Sequence, residues 1–409
     1  MIYNRDVMWK FHLAFGLALF TSFCRAFRFP NPWSTAHWMI TYDYGLVKRG
    51  LVGTIVGPLL EGKSQAEIQS AINLMASALT FVWCAVIIWL ASGIISKCRN
   101  PLQASLAVIA VLMGPYAIMV AHINGYYDVI AFVLGAAACV CITCGKGNPF
   151  LAGCVLAISI LCHETTLLYG APAVAFAIVA RYHQTGEWHT WRKLTLCGIP
   201  LGATFGYTLL ARQSSEVLPQ LLNHLKELGF THGNHQMVAG AIVSSFEDPW
   251  HIMYPQILQI LSAPPYPVQI GIPALALIAL CASQFTKGSR AGMAALAAVC
   301  TLIPLAIHAM AWDTSRIWTY PLGNGFLILW ASCQFGTEKS TEENKWLTSL
   351  CLLAVAVAIA SQTPLMDSLV TRGTWQTALM GYLPALALLI WALPSKKQQL
   401  CLLPPRNND

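Results

Sequence analysis

Four acidic residues lie at or near the ends of apolar segments, where carboxylates are uncommon: Asp43, Asp128, Glu164 and Asp313. An ionisable side chain near a lipid bilayer costs free energy, so by default it indicates a functional site and needs a partner. Together with nearby cations and histidines, these acids are the residues of this sequence that could do chemistry.

Asp43 lies in the segment TYDYGLVKRGLVGT, a few residues before Lys48 and Arg49. Lysine and arginine bind phosphate oxygens, whereas a carboxylate can accept a proton from a hydroxyl group or hold a metal ion. We therefore predict that Asp43 is a catalytic base and that Lys48 and Arg49 bind a phosphate group of the substrate. The alternative is a local ion pair that orders this segment.

Two further segments carry candidate substrate-binding residues. His122 and Asp128 belong to AHINGYYDVIAF, and His163 and Glu164 interrupt the apolar run ILCHETTLLYGAP. The alternative for Asp128 is a cap at the N-terminus of the following helix. The histidine and glutamate pair suits an acid/base dyad, a set of metal ligands or a structural hydrogen-bonded clasp, and a functional role is favoured because an unpaired carboxylate there is costly.

Asp313 and Arg316 occur in HAMAWDTSRIWTYP, three positions apart, which is the spacing for contact across one helical turn. An arginine held by an aspartate and flanked by Trp312 and Trp318 suits recognition of a phosphate or a sugar. The alternative is a structural ion pair in the aromatic belt at the membrane surface.

The composition shows which elements must position these residues. Of the 409 residues, 56% are hydrophobic and 10% are charged, and the mean hydropathy is +0.58. Soluble domains contain about 25% charged residues, so this chain cannot cover a soluble core with charge. These values exclude disorder, a fibrous repeat and a nucleic-acid-binding surface. We predict one all-α integral membrane domain over residues 1–409.

Twelve apolar stretches can be marked, so we predict a transmembrane bundle of about 12 helices, in the range 10–13. The stretches are 11–27, 71–96, 103–121, 129–144, 149–162, 167–181, 194–211, 269–285, 292–311, 318–334, 346–361 and 377–393. With both termini in the cytoplasm, 15 of the 24 lysine and arginine residues fall on the cytoplasmic side. This bias agrees with the positive-inside rule.

This topology leaves two long outer loops, about 28–70 and about 212–268. Both are rich in aromatic residues, so we predict ordered loops with short interfacial helices. In the second loop, VLPQLLNHLKELGF predicts a helix with a leucine stripe, which lies along the membrane surface or packs on the bundle. All the candidate residues fall on the outer side, together with His37 and His308, so we expect an extracytoplasmic site.

Several common motifs are absent from the sequence. It has no GxSxG, no HExxH and no dinucleotide fingerprint, and HETTL lacks the second histidine of a zinc protease. Cytosolic nucleotide-sugar chemistry therefore lacks its usual machinery.

The layout resembles the GT-C class of membrane glycosyltransferases, in which a first helix is followed by a long outer loop with an acidic residue. YDYGLVKRGLVGT, the HE pair and WDTSRIW also look like segments of bacterial envelope-polysaccharide membrane proteins. The resemblance implies a bacterial inner-membrane enzyme that takes a sugar from a polyprenyl-phosphate carrier to a glycan or lipid acceptor. In that class the first-loop carboxylate, here Asp43, is the base or a metal ligand, and the metal would be Mg²⁺ or Mn²⁺. Asp43 stands alone where many members have paired acids.

Three other interpretations remain open. A polysaccharide polymerase or ligase would depend more on Arg212 and Arg372 than on Asp43. A secondary transporter or flippase for lipid-linked glycans would place its charges near the membrane midplane and show inverted repeats, which the sequence does not display. A non-catalytic assembly subunit is the third.

Overall fold

The protein is described from a computed structural model that covers residues 5–45, 47–186, 190–210, 217–230, 234–243, 266–309, 311, 313–335, 344–366 and 369–393. Over these residues the chain is helical and has no β-strand, apart from one isolated bridge between Pro364 and Val370. The predicted all-α class is confirmed for this part of the chain.

Nineteen α-helices and three 3₁₀ segments can be described in these ranges. The helices are α1 Arg5–Ala26, α2 Pro32–His37, α3 Gly50–Leu60, α4 Gln65–Lys97, α5 Pro101–Met113, α6 Pro115–His122, α7 Asp128–Thr143, α8 Pro149–Cys162, α9 Ala171–Thr185, α10 Thr190–Leu210, α11 Val217–Glu227, α12 Asn234–Val243, α13 Tyr266–Gln269, α14 Gly271–Ser283, α15 Lys287–Leu302, α16 Thr314–Ile317, α17 Tyr320–Gln334, α18 Lys345–Ala360 and α19 Trp375–Ala392. The 3₁₀ segments are Tyr42–Tyr44, Glu164–Leu167 and Ile303–Ala309.

Three helices begin at an Asn-Pro pair, namely α2, α5 and α8. In each, the asparagine side chain accepts a hydrogen bond from a backbone N–H of the first turn. The proline occupies the first helical position, where its missing N–H has no cost and its fixed φ suits the helix. These pairs fix where the chain enters each helix.

Among the described residues, six helical segments are long and apolar enough to cross a membrane: Gln65–Lys97, Pro101–His122, Glu164–His183, Tyr266–Ser283, Lys287–Ala309 and Trp375–Ala392. Four shorter apolar helices, α3, α7, α8 and α18, accompany them. The described chain therefore has the helices of an integral membrane protein. The number of about 12 spans and the GT-C layout stay predictions.

The centre of the bundle is formed by α5, α6 and α17. Every residue in the apolar window of Pro101–His122 is buried, and α17 is buried from Tyr320 to Cys333. The surrounding helices α1, α4, α9, α14 and α15 pack against this centre. The outer ends of α6 and α17 thus bring His122 and Tyr320 into the protein interior.

The first outer loop is ordered and carries α2, the 3₁₀ segment Tyr42–Tyr44 and α3. Helix α11 packs on this loop through Leu221 and Leu225, which are completely buried, and His224 Nε2 lies 3.1 Å from the Met39 carbonyl oxygen. The leucine stripe of VLPQLLNHLKELGF therefore packs on protein. Residues 211–216, 231–233 and 244–265 of the second loop, including Arg212, lie outside the described residues.

Polar contacts between segments lie at both ends of the bundle. At the predicted outer end, Arg28 Nε donates to the His122 carbonyl over 2.9 Å, and Trp38 Nε1 donates to the Gly125 carbonyl over 2.7 Å. At the opposite end, Gln103 Nε2 donates to the Asn344 carbonyl over 3.0 Å. The acidic residues identified from the sequence all belong to the first end.

Candidate functional site

Arg49 and Glu164 form a bidentate ion pair that joins the first outer loop to the segment after α8. Arg49 Nε donates to Glu164 Oε2 over 2.9 Å, and Arg49 Nη2 donates to Oε1. Arg49 is the one described non-glycine residue with positive φ, 61°, and it immediately precedes α3. Forked arginine–carboxylate pairs are among the strongest side-chain contacts in proteins, which is consistent with a conformation that most side chains avoid.

His37 binds the other side of the Arg49 guanidinium. Its Nδ1 lies 3.0 Å from the Trp33 carbonyl oxygen and therefore donates, while Nε2 accepts from Arg49 Nη1 over 3.1 Å. Burial, reinforced by the Arg49 charge, lowers the pKa of His37 to about 3. His37 is thus a neutral imidazole whose two nitrogens are both used.

His163 caps the 3₁₀ segment that carries Glu164. Its Nδ1 accepts from the backbone N–H of Thr165 over 3.3 Å and lies 3.6 Å from Glu164 Oε2. Burial and the Arg49 charge lower the pKa of His163. Because Nδ1 accepts from Thr165, the contact with Glu164 is not an ion pair, and the histidine supports the loop as a neutral group.

Asp128, Asp313 and Arg316 form a second ion-pair group with Tyr320. Arg316 Nη2 contacts Asp313 Oδ2 at 2.9 Å, which confirms the contact predicted from their spacing. Arg316 Nη1 lies 3.8 Å from Asp128 Oδ2, and Tyr320 donates its hydroxyl hydrogen to Asp128 Oδ1. Asp128 is the first residue of α7, but its carboxylate binds side chains rather than capping the helix.

This second group contains buried atoms without hydrogen bonds. Asp128 Oδ2, Arg316 Nη1 and Arg316 Nε are all buried, and none has a hydrogen-bond partner within the part of the chain that the structure describes. Buried polar atoms are usually satisfied by protein or water. The 3.8 Å separation between Arg316 and Asp128 is therefore where a water molecule or a ligand oxygen would complete the site.

Aromatic residues connect the two ion-pair groups. The Arg316 guanidinium lies 5.5 Å from the centre of the Tyr126 ring, and Tyr126 stacks on Trp33 at 5.3 Å. Trp33 lies 4.2 Å from the His37 ring, and the Tyr127 hydroxyl donates to the His37 carbonyl over 2.8 Å. One continuous network thus runs from Glu164 to Asp313, and we call it the ion-pair network.

A narrow pocket opens between these side chains. Its lining residues are Trp33, Ser34, His37, Arg49, Gly125, Tyr126, Tyr127 and His163. The free space is about that of one water molecule. Gly125 has φ of 94°, and a Cβ at this position would lie 2.8 Å from Pro30, so only glycine lets the α6–α7 turn approach the first loop this closely.

Asp43 lies outside the ion-pair network. Its side chain is exposed and accepts a hydrogen bond from Thr41 Oγ1 over 2.8 Å, and no cation of the described chain forms an ion pair with it. The alternative of a local ion pair with Arg49 is wrong, because Arg49 binds Glu164 instead. Lys48 and His122 are both buried in the same end of the bundle.

The proposed phosphate ligands Arg49 and Arg316 are already paired with carboxylates. Each guanidinium is held by an acidic side chain, so a phosphate would have to compete with Glu164 or Asp313. Of the four acids identified from the sequence, Asp43 alone has no cation partner among the described residues. The structure therefore separates one accessible carboxylate from a largely neutralised supporting network.

The described residues do not fit the divalent metal that the GT-C resemblance suggests. They contain no group of three or more His, Cys, Asp or Glu side chains that could hold a metal ion. Glu164, Asp128 and Asp313 direct their oxygens to arginines, and Asp43 has no second ligand among these residues. We therefore derive no chemical step through a metal.

Four aromatic residues that connect and complete the network are not predicted from the sequence: Trp33, Tyr126, Tyr127 and Tyr320. The adjacent tyrosines before Asp128 in NGYYD could have indicated Tyr126 and Tyr127, since tyrosine suits a site that is partly apolar and partly polar. Tyr320 carries no such local signal. It is 192 positions from Asp128 in the chain, and Trp312 lies outside the described residues.

Comparisons with known proteins identify no relative of this chain. No protein-family model matches the chain, and no curated protein and no solved structure gives a significant match.

Proposed function

We propose that this chain is a membrane glycosyltransferase that moves a sugar from a polyprenyl-phosphate carrier to a glycan or lipid acceptor on the extracytoplasmic face of a bacterial inner membrane. The proposal rests on one observation. Asp43 is an exposed, hydrogen-bonded carboxylate without a cation partner among the described residues, and it belongs to the first outer loop, which the buried ion-pair network holds in place.

In the proposed reaction one proton is transferred, and one bond at the anomeric carbon of the sugar is replaced by another. Asp43 accepts the proton of the acceptor hydroxyl, whose oxygen then attacks the anomeric carbon of the sugar. The bond between that carbon and the carrier phosphate breaks, and the phosphate leaves with the electron pair. Lys48, a first-loop cation buried at the same end of the bundle, is the residue that we assign to the phosphate.

The ion-pair network holds the first outer loop against the bundle so that Asp43 and the acceptor stay in position. His37 and Arg49 belong to that loop, whereas Glu164 and Asp128 belong to the transmembrane part. The stacked rings of Trp33 and Tyr126 offer faces of the kind that pack on sugar rings. Precise positioning of reactants is itself a large part of catalysis.

The test is a transfer assay with the purified full-length protein in nanodiscs, with radiolabelled polyprenyl-phosphate sugars as donors and envelope lipid extract as acceptor. Asp43→Asn should lower transfer by at least about 100-fold, the lower range for removal of a general base. Glu61→Gln is the matched control, because Glu61 is another exposed carboxylate of the first loop and should leave transfer unchanged.

Two outcomes would overturn the proposal. Transfer by Asp43→Asn at the wild-type rate would show that Asp43 is not the catalytic base. No transfer by the wild type with any donor would favour a polymerase, a ligase or a transporter, and accumulated lipid-linked glycans in cells without the protein would then separate these classes.

A further inference from the structure

Cys98 and Cys333 bring two thiols from distant segments into contact at the predicted cytoplasmic end of the bundle. Cys98 directly follows the last residue of α4, and Cys333 is the residue before the end of α17. The two thiols are hydrogen-bonded to each other. Both are buried, with 0% and 3% exposure, and neither forms a disulfide. They are therefore a reduced pair of thiols outside the ion-pair network.

Gln284 directs a hydrogen-bond donor at the Cys98 sulfur. Its Nε2 donates to Cys98 Sγ over 3.3 Å and to the Leu280 carbonyl over 3.0 Å, while its Oε1 accepts from the Arg99 backbone N–H over 3.1 Å. The contacts with Leu280 and Arg99 fix the orientation of the amide. Its NH₂ group, and not its oxygen, therefore faces the sulfur.

Several donors around one sulfur favour the thiolate form of Cys98. The Asn100 backbone N–H also donates to this sulfur. Cys98 lies just beyond the membrane-spanning segment Gln65–Lys97, and the hydrogen bond from the Cys333 thiol, together with these donors, lowers the pKa of Cys98. Cysteines buried in apolar surroundings are inert, whereas the thiolate is the form that reacts. Cys98 is therefore the nucleophilic member of the pair.

An exposed contact joins the same two helices next to the buried thiols. Lys97 Nζ donates to Gln334 Oε1 over 2.5 Å, and these two residues are the chain neighbours of Cys98 and Cys333. Exposed side chains change rotamer within nanoseconds, so movement of Lys97 would admit a reagent as small as water. Disulfides in the cytoplasm are rare, and those that form are usually transient, catalytic or redox-sensing.

We propose that Cys98 and Cys333 are a redox-sensitive pair that hydrogen peroxide converts into a reversible disulfide. The Cys98 thiolate attacks one peroxide oxygen, the O–O bond breaks, and the other oxygen leaves as hydroxide, which takes up the proton that Cys98 had released. The Cys333 sulfur then attacks the sulfenic acid of Cys98, the S–O bond breaks, and water leaves with the Cys333 proton. Each sulfur has lost one electron, and each peroxide oxygen has gained one. A dithiol reductant reverses the oxidation by thiol–disulfide exchange.

This inference does not depend on the proposed transferase activity, and peptide mapping of the full-length protein in nanodiscs tests it. The reduced protein is treated with equimolar hydrogen peroxide, free thiols are blocked with a maleimide during unfolding in SDS, and the digest is analysed by mass spectrometry. We expect a peptide pair joined through Cys98 and Cys333, which dithiothreitol should release. Cys351→Ser is the matched control, because Cys351 is another completely buried cysteine near Cys98 and should leave this cross-link unchanged.

The order of the two steps can be tested with dimedone, which labels sulfenic acids. Cys333→Ser should retain a sulfenic acid at Cys98, whereas Cys98→Ser should show at least about tenfold less label at Cys333, because a thiol without these donors stays protonated. Thermal unfolding shows whether each variant is folded, and the wild-type cross-link decides the proposal if a serine variant is not.

Three results would overturn the proposal. The first is a wild-type protein that keeps Cys98 reduced at a peroxide dose that oxidises the exposed Cys144. The second is a cross-link from Cys98 to a cysteine other than Cys333. The third is a folded Cys333→Ser variant without a sulfenic acid at Cys98.

Discussion

At the scale of single residues, the choice of ion-pair partners decides what each charged side chain can do. Arg49 has Asp43 six positions away in sequence, yet it binds Glu164, 115 positions away. Asp43 therefore remains accessible while Arg49 becomes structural. A buried charge that has lost its partner is strongly unfavourable, so the pair should be visible in the stability of the protein.

Glu164→Gln should destabilise the protein by about 3 kcal/mol, at the low end for a broken buried pair because both side chains keep some exposure. The double variant Arg49→Met with Glu164→Leu should be more stable than the sum of the two single changes predicts, since no charge is left alone. Equilibrium unfolding by SDS titration in mixed micelles measures both. Strictly additive losses would show that the two side chains do not interact.

Protonation of His37 gives a second expectation at this scale. The folded-state pKa is lowered from 6.5 to about 3, so below 6.5 the unfolded state binds a proton that the folded state refuses. Stability should therefore fall as the pH drops from 6.5 towards 3, by at most about 1.4 kcal/mol per pH unit for this residue.

His37→Asn removes this titration while retaining a short side chain with an N–H donor. Thermal unfolding between about pH 7.5 and pH 5 should show a shallower loss of stability for His37→Asn than for the wild type. Equal slopes for the two proteins would contradict a buried neutral histidine at this position.

At the scale of elements, the position of Arg49 depends on α3, and the position of α3 depends on Gly53. A Cβ at Gly53 would lie 2.0 Å from the Ile40 carbonyl oxygen, so α3 packs on the chain before it only because Gly53 has no side chain. Gly57, one turn later on the same helix, would bring its Cβ to an ordinary contact, 3.6 Å from Thr41.

Gly53→Ala should therefore displace α3 and lower both the melting temperature and transfer activity, whereas Gly57→Ala should be neutral or slightly stabilising because alanine favours helix. Melting curves and the transfer assay, run on both variants, check this pair. Wild-type melting and activity for Gly53→Ala would show that α3 does not need this close approach.

At the scale of the whole molecule, the acidic candidates lie at one end of the described bundle, and a group of basic residues lies at the other end. Lys10, Lys97 and Arg181 belong to the second end, where Lys10 lies 3.5 Å from the Trp391 ring centre and Arg181 Nη2 donates to the Gly145 carbonyl. The positive-inside rule predicts that this second end faces the cytoplasm.

Cysteine labelling in intact cells checks this orientation. With the exposed Cys24 and Cys144 replaced by serine, Lys63→Cys should react with a membrane-impermeant maleimide, because Lys63 is exposed in the first outer loop. Lys146→Cys should react only after the cells are permeabilised. The reverse pattern would invert the topology and place Asp43 in the cytoplasm.

Features that depend on composition and local spacing could be predicted from the amino-acid sequence. A chain with 56% hydrophobic and 10% charged residues can bury its surface only in a membrane-type helical bundle, and the described helices agree. The spacing of Asp313 and Arg316 determined their contact, because residues three apart on a helical turn are neighbours whatever surrounds them.

The pairing of distant charges depends on how the helices pack in three dimensions. The pairing of Arg49 with Glu164 and the contact of Tyr320 with Asp128 join segments more than 100 positions apart. Such contacts arise because α3 packs against α8 and α17 packs against α7, and no local pattern encodes that packing.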